Sequence, residues 1–322
     1  MDALIPLLKN VIIFVALAIP GYIFVKSGSL KQEHSGVLSK ILMYIGLPFM
    51  ILSGTLGVEL NGDTVRSIVI VALIGIAITF LVIFIATLIT KKTSPTNQAY
   101  TEKMRGMMCF CEAFANNGFL GLPIGAAVFG TASPVFTCLV VLNIINNTLI
   151  YTVGVYLISC DKRTIKLNNV VLNPVLIAFF VGIILNLLNF KTTLPEVLTY
   201  SDHFKNVVTP LSMTILGMKL GAIKIADIFK SKENYFVSVI KLVLVPVIAT
   251  AISIGINLIY PIEREMIIAI FIAFAMPTAG LSSAFADRYD GDTKGAVIYT
   301  LGSTIFSIIT IPLLYALLCI VI

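Results

Sequence analysis

The chain has 322 residues, of which 58% are hydrophobic and only 12% charged. A soluble domain carries about 25% charged residues, so most of this surface cannot face water and its solvent must be lipid. The net charge of +6 lies in short segments between apolar runs, without a basic stripe or an aromatic platform, and gives no reason to expect a nucleic-acid partner.

A membrane-spanning helix needs about 20 mostly apolar residues at 1.5 Å rise each. Taken along the chain, the sequence predicts ten such spans, at 5–25, 36–57, 66–90, 106–129, 133–158, 170–190, 204–223, 235–260, 264–287 and 295–321. The first is read as a span and not as a cleavable leader. Asp2 and the late Lys9 stand where a cleavable leader carries a basic start. Lys91, Lys92 and Asp161, Lys162, Arg163 are clear stops, and the longest loop is expected near 91–105. The five cysteines (Cys109, Cys111, Cys138, Cys160 and Cys319) follow neither disulfide nor zinc spacing and are read as packing residues. No metal and no cofactor is expected.

Ten spans place both termini on one side. Sixteen of the 22 lysines and arginines then fall on one side, five on the other (Lys9, Arg66, Lys191, Lys205 and Arg264), and Lys241 lies within span 8. Cytoplasmic loops carry the excess of such residues. The expectation is a multi-pass protein of the cytoplasmic (inner) membrane with both termini extracytoplasmic. Nine or eleven spans would scramble the sorting.

The halves resemble each other at an offset of about 160 residues. Gly46-Leu47-Pro48 in span 2 answers Val208-Thr209-Pro210 in span 7, and the Ala115-to-Pro123 stretch in span 4 answers Phe274-to-Gly280 in span 9. Five-span repeats enter the membrane from opposite sides, so these are inverted. The fold class expected is all-α, a polytopic membrane protein with ten transmembrane helices in two inverted five-helix repeats, about 1–160 and 161–322. Such repeats with paired interrupted helices are a signature of secondary transporters.

Spans 4 and 9 carry the interruptions. Asn116, Asn117 and Gly118 are poor helix formers, and Pro123 removes a donor and clashes one turn back. Pro277, Thr278 and Gly280 repeat the arrangement, with Ser282 following. Freed backbone groups cannot face lipid, so both breaks face protein or a wet cavity. If the spans cross, the N-termini of their second halves converge and attract anions. The bland reading is a proline kink in each of two packed helices. Asn143, Asn147 and Tyr151 share a face of span 5, with Asn146 beside them, and either bond another helix or touch substrate. Glu112, Lys241 and Asp287 are ionisable at depth or at a span edge and are coupling candidates, although Glu112 and Lys241 can equally pair with each other. Lys219, near the end of span 7, is expected to snorkel to the headgroups.

Asn116-Asn117-Gly118-Phe119-Leu120-Gly121-Leu122-Pro123-Ile124-Gly125 resembles the auxin efflux carrier family, in its bacterial, malate-permease-like form. Leu47-Pro48, Asn173-Pro174, Pro210, Lys241 with Pro246, and Pro277 followed by Ala286-Asp287-Arg288-Tyr289 support the likeness along the whole chain. The resemblance implies a bile-acid/sodium-symporter-like fold with crossed spans 4 and 9. It implies a scaffold of spans 1, 2, 6 and 7 that mediates a homodimer, and a transport core of spans 3–5 and 8–10 moving in an elevator cycle. It also implies organic anions, mostly carboxylates, as substrates. Carried onto this chain, the crossover residues are Asn116, Asn117, Gly118, Pro123 and Pro277. Glu112 has no counterpart in the family pattern, and span 5 is unusually rich in Asn. The sequence leaves coupling to Na⁺ or H⁺ open. The rival readings are an anion channel and a non-transporting membrane sensor. An ATP-driven pump is not expected, since no phosphate-binding G-x-x-x-x-G-K-[ST] loop occurs, and no enzymatic activity is.

Overall fold

A computed structural model describes residues 4–93, 102–165, 168–190 and 194–322. The centre of the loop expected at 91–105, and the cations Lys166 and Lys191, lie outside the described residues. The chain is helical, and among the described residues the one β-type contact is an isolated antiparallel bridge between Ala115 and Thr278. In chain order the helices are α1 (Leu4–Lys26), α2 (His34–Gly57), α3 (Gly62–Thr93), α4 (Glu102–Ala113), α5 (Asn117–Phe129), α6 (Pro134–Ser159) and α7 (Pro174–Leu187). There follow α8 (Glu196–Gly221), α9 (Ile225–Lys230), α10 (Lys232–Ile259), α11 (Arg264–Ala275), α12 (Ser282–Arg288) and α13 (Thr293–Val321).

Six of these are long and apolar enough to cross a bilayer: α1, α2, α3, α6, α10 and α13. The other four expected spans look different. Span 6 is the 14-residue α7, and span 7 is the 26-residue α8, which begins at Glu196 and carries Asp202 and Lys205 in its first half. Spans 4 and 9 are each split in two, into α4 plus α5 and α11 plus α12.

The helix starts follow from side chains that accept otherwise orphaned N–H groups. Ser133 caps α6 through the Phe136 N–H, with Pro134 in the first turn. Asn173 caps α7 through the Val175 N–H, with Pro174 in the same role. Interior prolines leave a second signature. Widened turns at Leu42–Gly46, Asn117–Gly121 and Ile240–Leu244 each precede a proline, namely Pro48, Pro123 and Pro246. Proline donates no hydrogen bond and its ring pushes against the carbonyl four residues back, which in each case is the middle residue of the turn. The ladder responds by reaching five residues. Leu47, Leu122 and Val245 donate to the carbonyls of Leu42, Asn117 and Ile240. A fourth such turn, Ile150–Gly154, has no following proline.

Packing pairs the helices across the halves. α1 lies along α8, and α7 along α2. The α1–α8 contact is made by small residues: a Cβ at Gly217 would fall 1.8 Å from the Ala18 carbonyl oxygen, and one at Gly21 would fall 2.0 Å from that of Thr214. In the α7–α2 contact a Cβ at Gly182 would meet Thr55 Oγ1 at 1.8 Å. With no hydrophobic drive between helices in lipid, close backbone approach supplies the association through dispersion. α3 packs on α4 and α6, while α10 packs on α11 and α13.

Candidate functional site

The two broken helices meet at their breaks. Met276–Leu281 separates α11 from α12, and Phe114–Asn116 separates α4 from α5. Two backbone bonds join them: the Asn116 N–H donates to the Pro277 carbonyl at 2.7 Å, and the Ala279 N–H to that of Phe114 at 3.0 Å. Inside this pair, Ala115 and Thr278 face one another without bonding through their own backbones, and neighbours serve them. The Asn146 side chain takes the Ala115 N–H at 3.1 Å and gives its amide to the Ala115 carbonyl at 3.0 Å. Ser303 Oγ accepts the Thr278 N–H at 3.2 Å, and the Thr278 hydroxyl donates to the Cys111 carbonyl at 2.9 Å. The freed backbone groups thus face protein, as burial demands.

A partly open cavity lies beside this meeting point, with about 590 Å³ of space when its open mouth is included. Its polar lining comes from Asn116, Asn147, Tyr151 and Asn173, with Gly118 and Gly280 exposing backbone; Met43, Leu47, Phe110 and Phe285 supply apolar walls. The Tyr151 ring sits 5.2 Å from that of Phe285. On the α8 and α13 side, a smaller cleft of about 380 Å³ shares Asn116, Phe119 and Gly280 with it.

The residues singled out from sequence divide into three groups. Asn116, Gly118, Asn147 and Tyr151 line the cavity beside the meeting point. Asn117 and Asn143 are buried just behind it. The Asn147 amide donates to Asn143 Oδ1 at 3.2 Å, confirming their shared face, while Asn117 Oδ1 and Asn143 Nδ2 have no partner. Pro123, Pro277, Thr278 and Ser282 shape the break and do not line the cavity. Pro123 starts the regular part of α5, Pro277 gives its carbonyl to Asn116, and the Ser282 hydroxyl bonds Thr300.

The coupling candidates are separate from one another. Glu112 is fully buried, with Oε2 accepting from Thr90 Oγ1 at 3.1 Å and Oε1 unpartnered. Lys241 is also fully buried and its Nζ has no hydrogen-bond partner, so the alternative in which these two pair is not what the structure contains. Asp287 is exposed on α12. Lys219 departs from expectation: its ammonium turns inward and donates to the Gly280 carbonyl at 2.6 Å instead of reaching for headgroups. Its distance from the helix end suggested snorkelling, and its partner lies 61 residues away, beyond any local pattern.

The expected convergence of two helix N-termini is lopsided. α12 has only seven residues, whereas α5 opens with Asn117, Gly118 and Phe119, and its first turns fold onto the carbonyls of Asn116 and Asn117. The first N–H groups of a helix have no intrahelical acceptor, so donors concentrate at the start of α5, next to the cavity.

Comparison with known proteins identifies the family. Residues 6–170 and 162–315 match the sequence pattern of the family described as membrane transport protein. An uncharacterized transporter of Methanothermobacter thermautotrophicus is 24% identical over 315 residues, covering 95% of this chain and 96% of that protein. One from Methanocaldococcus jannaschii is 25% identical over 310 residues, covering 94% and 96%. The chain therefore belongs to the membrane transport protein family, that of the auxin efflux carriers.

Proposed function

We propose that this protein is a secondary transporter that carries a small organic carboxylate across the cytoplasmic membrane, with the meeting point of the broken helices as its binding site. The observation that carries this is the backbone pairing of Asn116 with Pro277 and of Ala279 with Phe114, beside a cavity lined by Asn116, Asn147 and Tyr151. A helix start and carboxamides with spare hydrogen-bonding capacity suit a carboxylate, and the apolar wall suits its hydrocarbon part.

In this reading the ten spans form inverted repeats, 1–160 and 161–322, with spans 4 and 9 crossed. Support comes from the matched packing: α1 on α8 answers α7 on α2, and α3 with α4 and α6 answers α10 with α11 and α13. Asn146 on α6 serving Ala115 answers Ser303 on α13 serving Thr278. Spans 1, 2, 6 and 7 serve as the scaffold, through which two copies pair, and spans 3–5 and 8–10 move as the transport core of an elevator. Glu112 and Lys241, buried in that core with unpartnered atoms, are the groups to test for coupling to H⁺ or Na⁺.

The test is counterflow of radiolabelled organic acids in proteoliposomes. Saturable counterflow is expected from the wild type. Asn117→Ala and Pro277→Ala should each lower it about tenfold or more, the size of one lost charge-assisted hydrogen bond or of a misplaced break. Unchanged transport in both variants moves the site elsewhere, and unitary conductance without counterflow makes the protein a channel.

A further inference from the structure

Lys219 lies in the cleft between α8, α13 and the two breaks. The polar members of that cleft are Asn116, Ser212, Lys219, Thr300 and Thr304, and none is acidic. The hydroxyls are already engaged. Ser212 donates to the Thr209 carbonyl at 3.0 Å, Thr304 donates to that of Thr300 at 2.7 Å, and the Thr300 hydroxyl is hydrogen-bonded to that of Ser282. Among the described residues the ion pairs are Lys103 with Asp290 and Lys205 with Asp202, so the Lys219 ammonium has no carboxylate partner. Its bond to the Gly280 carbonyl uses one of three N–H donors. Gly280 is also the residue against which the Asn116 amide rests: a Cβ there would lie 3.1 Å from both Nδ2 and Oδ1 of Asn116.

We propose that Lys219 is the charge-selecting residue of the transport site, supplying the positive charge that admits a carboxylate and rejects its neutral isostere. This rests on the reading of the crossing as an anion site. An interior cation held by a single carbonyl is incompletely compensated. A bound carboxylate completes it with a charge-assisted bond, and a neutral amide of the same shape cannot. Selectivity then arises from the cost of leaving the ammonium without a counter-charge. Because Lys219 sits on α8 and Gly280 on the second break, the same contact makes the hold of one helix group on the other sensitive to the substrate's charge.

The experiment uses the full-length protein in lipid nanodiscs, with benzoate, succinate and neutral benzamide as probes, read by titration calorimetry and by the shift in unfolding temperature. Wild type is expected to prefer a carboxylate to benzamide. Lys219→Gln, which keeps a donor for Gly280 but loses the charge, should shrink that preference about tenfold or more. Lys219→Arg should restore most of it, and Lys219→Met provides a second neutral variant should the glutamine misfold. Preference retained in Lys219→Gln or Lys219→Met, while Asn116→Ala weakens binding, overturns the role of Lys219 and leaves the anion site standing. A wild type that does not distinguish carboxylates from benzamide overturns both.

Discussion

Asn146 does for Ala115 what a neighbouring strand does inside a sheet: it answers both backbone groups of a residue that has left its helix. Replacing it with leucine strands a buried N–H and a buried C=O, each costing about 1–3 kcal/mol. Asn146→Leu should therefore lower the unfolding temperature in detergent markedly. Unfolding of Asn146→Leu alongside wild type would mean that water, not Asn146, satisfies Ala115. This role was only half legible in the sequence. The spacing of Asn143 and Asn147 predicted a shared face with bonds to another helix or to substrate; on that face the two amides bond each other instead, as i, i+4 neighbours can. Asn146 stood one residue off that face, and its partner is fixed by how α6 lies against the break 31 residues earlier. Thr278 and Ser282 show the other side of such reading. Their position beside Pro277 suggested ligand contact, but their hydroxyls close the structure on Cys111 and Thr300.

The breaks themselves were readable, because proline and glycine act through the local backbone. Pro123 and Pro277 located both interruptions, and the same chemistry explains the widened turns before Pro48 and Pro246. What periodicity could not show was which helices touch, and there the glycines decide. α8 presents Gly217 and Gly221 one turn apart, against Ala18 and Tyr22 of α1. A side chain at Gly217 would place its Cβ 1.8 Å from the Ala18 carbonyl oxygen, a distance no rotamer relieves. The two helices must then separate, and Gly217→Leu should cost about 1–3 kcal/mol or more, seen as a lower unfolding temperature. Gly255 in α10 is the control: nothing lies within 4 Å of its would-be Cβ. Gly255→Ala should be neutral or stabilising by up to about 1 kcal/mol, since alanine is the better helix former. If Gly217→Leu behaves like Gly255→Ala, α1 and α8 do not pack through this seam.

Orientation is a property of the whole assembly, and four contacts between distant segments bring together loops expected on the same side. Arg66 bonds Tyr260, Ser67 bonds Glu263 at 3.2 Å, and Ser53 bonds Asp202 at 2.8 Å. Each joins two segments expected outside the cytoplasm. Lys103 pairs with Asp290, joining two expected inside. The excess of lysine and arginine on one side gives the expected direction of the whole unit, and the chain carries its own reporter of that direction. Cys109, Cys111 and Cys138 are buried and Cys319 is half-buried, while Cys160 is exposed at the end of α6, next to Asp161, Lys162 and Arg163. Partial burial and the Glu102 carboxylate push its thiol up, with Lys103 opposing them. The thiolate is the species that reacts, so labelling belongs on the alkaline side of neutrality. A membrane-impermeant maleimide should modify the protein in inside-out vesicles and not in intact spheroplasts, and Cys160→Ser should abolish the signal. Labelling from the outer face would invert the assembly, putting both termini in the cytoplasm.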